Sequence, residues 1–239
     1  MLICASAIRS FRLRVENLRY QSVEILIDQR FNGPPGSANG GYTCGLVARL
    51  VGEAAVEVTL RSPPALGRPL RWDGLRLWDG ETLVAEGRAV PLQLDVPSPP
   101  SFEEAEAARP RFAGFREHAY PTCFVCGPAR EDGLSIFASP LNGVVAAAWV
   151  PDEAGAPLVW ASLDCPGAYA LEAAGRSGML LGRLHGRVDR VPAAGERCVV
   201  VGWPLGWDGR KGYAGTALWS ADRCDLLACA RATWIVPSA

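Results

Sequence analysis

Cys123 and Cys126, with two residues between them, are the pair in this chain that most invites a metal. A zinc centre needs four ligands, or three and a water; no second pair follows, and His118 is the nearest further candidate. The count predicts a structural loop there and no bound metal. Asp164 lies in an apolar segment with Pro166 two residues on, and an Asp ahead of a first-turn Pro is a common helix cap, worth about 1 kcal/mol. A helix beginning at Pro157 would instead hold Pro166 in its interior and kink there, at a cost of about 3 kcal/mol. Asn39 stands before Gly40 and Gly41, and two readings are open for this group. It is a cap followed by glycines that pack tightly, or a helix start that a ligand can approach. Ser162, Cys165 and Tyr169 flank Asp164 and are candidate wall residues of any groove there. His185 falls in an expected strand, Leu180 to Val188, so no His/Asp dyad is evident. Trp203, Trp207 and Tyr213, with Arg210 and Lys211, form an aromatic, basic stretch that reads as a surface loop.

The elements that must position these groups come from an ordinary globular composition. The 239 residues are 49 % hydrophobic and 21 % charged, and mean hydropathy is +0.09, an apolar surplus that disordered chains lack. With 24 basic against 25 acidic residues the net charge is -1, which gives no long-range attraction to nucleic acid or to an anionic membrane. Lys211 is the only lysine; the arginine bias reads as genomic composition. No apolar run approaches the roughly 18 residues of a membrane span. Met1 to Ile8 is apolar, but no basic residue precedes it and Arg9 follows too soon for a secretory leader, so it reads as mature sequence. Eight cysteines without framework spacing point to a reducing, cytoplasmic setting.

From Pro91 to Phe115 the chain is Pro-rich and acidic, as inter-unit connections are. We place units at residues 1–92 and 116–239 with a linker at 93–115. Ser101 and Glu104 have capping-box spacing ahead of a short Ala/Glu run that Pro110 stops, so a small helix is expected in what is otherwise a spacer. The two sides repeat each other. Leu77 to Ala89 matches Ser220 to Ala232, with Leu83/Leu226, Ala85/Ala228, Arg88/Arg231 and Ala89/Ala232 in register, and the turn Pro64 to Gly67 matches Pro192 to Gly195. An insertion near Trp203 to Tyr213 accounts for the growing offset. Ahead of these strands, Gly40 to Gly52 and Leu158 to Gly175 are apolar, rich in Gly and Ala, and too long for strands; each is expected to be one buried helix. The fold class is therefore α+β, a helix and a mostly antiparallel sheet in each half, the sheets pairing edge to edge.

On these residues the chain resembles the hotdog superfamily of thioesterases and dehydratases. Cys123-Phe-Val-Cys-Gly127 with Asp132-Gly-Leu134 and Ser162-Leu-Asp164 looks like small thioesterase-like members with a C-x-x-C-G segment, and Ala38-Asn-Gly-Gly41 resembles the V-H-G-G helix start with Asn for His. The resemblance implies a double hotdog, each unit a long central helix wrapped by an antiparallel sheet, hydrolysing an acyl-CoA or acyl-carrier thioester in a groove between the halves. Family members polarise the thioester carbonyl with a glycine amide at a helix N-terminus of one unit and drive attack with a carboxylate from the other unit's helix. The family's carboxylate stands nine residues after the His, which is Ala48 after Asn39; the second half has Asp164 at that place but Gly155-Ala-Pro where the glycine motif belongs. The losses are complementary and imply one site: Asp164 as base or nucleophile, the Gly40 and Gly41 amides as oxyanion donors, Asn39 as a positioning group, and Ser162, Cys165 and Tyr169 lining the groove. No cofactor is expected, and a homo-oligomer of double-hotdog chains is compatible with the family. The alternatives are a hydratase or dehydratase, which generally needs a His that is missing here, and an acyl-binding protein that kept the fold without the chemistry.

Overall fold

The structure, a computed structural model, describes residues 23–153, 155–172 and 178–237. The N-terminal segment Met1 to Ile8, Cys4 and the expected helix end at Gly175 lie outside the described residues. The elements run β1 (Val23–Leu26), α1 (Gly40–Val51), β2 (Ala55–Leu60), β3 (Pro69–Trp72), β4 (Arg76–Asp79), β5 (Thr82–Ala89), α2 (Phe102–Ala108), β6 (Ser139–Leu141), β7 (Val144–Trp149), α3 (Ala156–Ser162), α4 (Cys165–Glu172), β8 (Leu180–Val188), β9 (Cys198–Asp208), β10 (Lys211–Ser220) and β11 (Leu226–Ile235).

All described strands join one antiparallel sheet in the order β1-β3-β4-β5-β2-β8-β11-β10-β9-β7-β6. Exchanging β2 with β8, β5 with β11, β4 with β10, β3 with β9 and β1 with β7 maps the order onto itself, with β6 the extra edge strand. The repeat read from sequence follows that exchange: Leu83 lies opposite Trp78 as Leu226 lies opposite Trp219, and Ala85 opposite Leu77 as Ala228 opposite Leu218. The chain thus has the α+β double-hotdog architecture. At the centre β2 and β8 pair with Glu57 across from His185, so neither strand presents a bare edge. Val56 and Val58 turn into the core while Glu57, alternating outward, takes Arg88 at 2.6 Å and Arg183 at 3.4 Å.

The first central helix is one element. Asn39 caps it by accepting the Tyr42 N–H at 2.8 Å, and Gly52, at φ 76°, ends it in the left-handed conformation that glycine adopts without steric cost. The second is two, a departure from the single helix expected there. Pro157 sits in the first turn of α3, and the chain breaks at Leu163 and Asp164 before α4 begins at Cys165. The cause is Pro166, which has no N–H to give the preceding turn and crowds its carbonyls. The Leu163 carbonyl at the break is taken by the buried Thr216 hydroxyl at 2.9 Å, so it is not stranded without a donor.

The stretch expected to be a spacer does more. α2 carries the full capping box, with Ser101 and Glu104 exchanging bonds, and buries Ala105 and Ala108. With Leu92 it covers the outer face of the second half-sheet, against Val199 and Val201, while Cys198 and Val200 point to the other core. Burial on both faces is why β9 reads as an unbroken apolar run.

Candidate active site

α1 and α3 pack closely because α1 presents Gly41 and Gly45 one turn apart. A Cβ on Gly45 would stand 2.6 Å from Pro157 Cα, and one on Gly41 would stand 2.5 Å from Asp164 Cβ and 2.8 Å from the Trp160 carbonyl oxygen. Only glycine permits that approach, and it brings the α1 N-terminus against the break that carries Asp164. The N-terminal side of α1 is held by the Asn39 N–H to the Phe31 carbonyl at 2.7 Å and the Ala38 N–H to the Pro64 carbonyl at 2.9 Å. Asn32 ties the same loop to residues 122–124: its Nδ2 donates to the Thr122 carbonyl at 2.9 Å, and its own carbonyl accepts the Phe124 N–H at 2.8 Å.

The Asp164 carboxyl is buried where these parts meet. Its Oδ2 accepts the Gly41 N–H at 2.8 Å, across 123 positions of sequence, and the Asn39 side-chain amide at 2.9 Å. Asp164 therefore caps the helix of the other half, not its own. Its Oδ1, equally buried, has no hydrogen-bond partner among the described residues. Burial pushes the carboxyl up to about 7; the Gly41 N–H holds it down, the Cys123 sulfur raises it further, and the Asn39 amide lowers it.

Asp164 and Asn39 open onto a cavity of about 1080 Å³ walled by both halves. The first half gives the turn from Gly33 to Gly40 and the strand end at Leu60, and the second gives Cys123, Cys126, α4 and Leu181. Of the residues singled out in sequence, Asn39, Gly40, Asp164, Cys165 and Tyr169 line it. Gly41 and Ser162 do not. The Gly41 N–H is committed to Asp164, and the Ser162 hydroxyl, fully buried, donates to the Val159 carbonyl at 2.7 Å. The Gly40 N–H, at the first position of α1, is one of the amides that helix geometry leaves without an intrahelical acceptor. Burial raises the Tyr169 phenol far above its ordinary range, so it stays a neutral donor.

Sequence reading passed over two parts of this wall. Ala113 and Arg116, from the end of the presumed spacer and just beyond it, reach the cavity, and so does His118. Arg116 is exposed and has no ion-pair partner among the described residues. Nothing in their spacing marks these residues; only the path of the chain past α2 brings them to the cavity. His118 holds the loop together: its Nδ1 accepts the Tyr120 N–H at 2.9 Å and its Nε2 lies 3.1 Å from the Cys126 carbonyl oxygen.

No protein-family model matches the chain, and no curated protein sequence matches it. Solved structures share the fold. A tesB protein from Mycobacterium avium subs paratuberculosis superimposes with TM-score 0.60 at 12% identity, over 93% of this chain and 96% of its own. An acyl-CoA thioesterase II from Mycobacterium marinum gives TM-score 0.54 at 12% identity, over 94% and 96%. A conserved protein from Alicyclobacillus acidocaldarius, described as having a hot dog fold, gives 0.54 at 13% identity, over 91% and 94%. This chain has the double-hotdog fold, and is similar in structure across its length to proteins that include thioesterases. None of its described helices is long and apolar enough to cross a membrane.

Proposed function

We propose that this protein hydrolyses an acyl-CoA-like thioester in the cavity between its halves. One observation carries the reading: Asp164 lines the cavity, and its carboxyl is held by two donors on Oδ2 while Oδ1, also buried, is given no partner. Buried polar atoms are normally satisfied, and exceptions concentrate where an atom has a task. Oδ1 would take a proton from a water attacking the thioester carbon, or attack that carbon itself. The Gly40 N–H is the amide available to the developing oxyanion. Asn39 and Gly41 are positioning groups that fix the carboxyl, which narrows the oxyanion donors from the two that the family resemblance implies to one. The carbon–sulfur bond breaks, the thiol leaves, and the acid carries the oxygen from water.

The cavity, at about 1080 Å³, is slightly larger than the roughly 300–1,000 Å³ of most small-molecule sites, which leaves room for an acyl group. Arg116 would meet the phosphates of coenzyme A or of a carrier's prosthetic arm. Acyl-thioester turnover, followed as free thiol over a panel of chain lengths, tests the reading. Saturable binding of the same compounds without thiol release would favour an acyl-binding protein instead, a reading supported by the Gly41 amide being spent on Asp164.

A further inference from the structure

Along the sequence the C-x-x-C pair has too few ligands for a metal. The fold supplies another. Cys165, at the start of α4, comes to the pair, and the sulfurs of Cys123, Cys126 and Cys165 all lie within 4.8 Å of one another. Cys123 Sγ and Cys165 Sγ are 3.9 Å apart. Zinc–sulfur bonds of about 2.3 Å in a tetrahedral centre set sulfurs about 3.8 Å apart. We propose that Cys123, Cys126 and Cys165 bind one zinc ion, with water from the cavity in the fourth position.

The loop is shaped for ligation. Gly127 donates its N–H to the Cys123 carbonyl at 2.8 Å, and a Cβ there would stand 2.5 Å from Cys123 N and 2.6 Å from the carbonyl oxygens of Cys123 and Pro121. The turn is therefore too tight for any residue but glycine, and its closure gathers the two thiols on one side. The Cys123 sulfur has hydrogen-bonding groups around it: the Cys126 and Cys165 thiols, of which the Cys165 contact can run in either direction, the backbone amides of Cys126 and Val125, and the Asn39 side chain, which donates at 3.9 Å. Such a setting suits a thiolate. A divalent cation among the three sulfurs would make each thiolate a ligand rather than a repelling neighbour. His118 is not the further ligand, because both ring nitrogens are engaged; it buttresses the Cys126 carbonyl, as outer groups do around metal ligands. All three cysteines line the cavity, so the ion has a way in. The centre would join α4 to the 123–127 turn next to Asp164. It does not depend on the thioesterase reading.

The test uses the whole chain, produced with zinc in the medium and purified under reducing conditions without chelator. Elemental analysis should find about one zinc per chain. Replacement by Co2+ should give a sulfur-to-cobalt charge-transfer band with the visible bands of a tetrahedral ion. C126S and C165S should lose the zinc and the band while keeping the wild-type circular dichroism, and C229S, in the separate core under α2, should keep both. If the first two variants fail to fold, the wild-type cobalt titration alone decides. Sub-stoichiometric zinc with no charge-transfer band overturns the proposal, and so does full zinc retention in C165S, a different stoichiometric metal, or a Cys123–Cys126 disulfide in the reduced preparation.

Discussion

Replacing Asp164 separates chemistry from architecture. Alanine at 164 would strand two buried donors, the Gly41 N–H and the Asn39 amide. Each costs about 1–3 kcal/mol, so the loss is about 2–6 kcal/mol before the relief of no longer burying a carboxyl; a net of about 2–3 kcal/mol is expected. Asparagine has nearly the same shape, and its single oxygen can accept both bonds from the Oδ2 position. The side-chain NH2 then stands unpaired where Oδ1 was, a cost offset by no longer burying a carboxyl. D164N should therefore unfold within about 1 kcal/mol of wild type in urea. Its kcat should fall about a hundredfold or more with KM little changed, because the basic or nucleophilic oxygen is gone and the cavity is intact. The assay is thiol release from an acyl-CoA panel, corrected for the exposed Cys224 of the protein itself. Turnover by D164N within about threefold of wild type would refute the catalytic role, since proton transfer by a positioned group contributes far more than that. Equal destabilisation by Asn and Ala would refute the hydrogen-bond argument.

Further outcomes follow from the same contacts. G41A should destabilise by about 2 kcal/mol or more, because the new Cβ meets the Asp164 Cβ and the Trp160 backbone rather than a flexible chain end; thermal unfolding measures it. G40A should cost less, its neighbours being the movable side chains of Leu181 and Leu60. N39S keeps a capping oxygen for Tyr42 but loses the donor to Asp164, so stability should fall by less than about 1 kcal/mol while kcat falls about tenfold. Away from the site, Arg190, Ser220 and the Ala193 N–H hold Glu196 down to about 2. A carboxyl lowered on folding stabilises above its unfolded pKa, near 4.5, and loses that contribution as pH falls toward 2. The gap in Tm between wild type and E196Q should therefore be full at pH 6 and close between about pH 4.5 and 2.

The repeat was legible in sequence because it is a pattern of local strand units. Leu83 and Leu226 occupy the same place opposite a tryptophan, and the matching alanines confirm the register strand by strand. The Asn39 cap, the Gly52 stop and the Ser101–Glu104 box were legible for a similar reason, since capping is settled within a few residues. Pro166 left two readings open, and whether it capped or kinked depended on how the Leu163 carbonyl could be satisfied. Thr216, from a strand far along the chain, answers that. The partners of Asp164 also belong to tertiary structure. Family resemblance pairs it with the α1 start, but only the close packing at Gly41 and Gly45 spends the Gly41 N–H on the carboxyl and leaves Gly40 at the cavity. The third sulfur beside Cys123 and Cys126 was invisible for the same cause. Sequence spacing counts ligands along the chain, whereas a centre gathers them in space, and Cys165 arrives there because the broken helix turns its second segment toward the 123–127 loop.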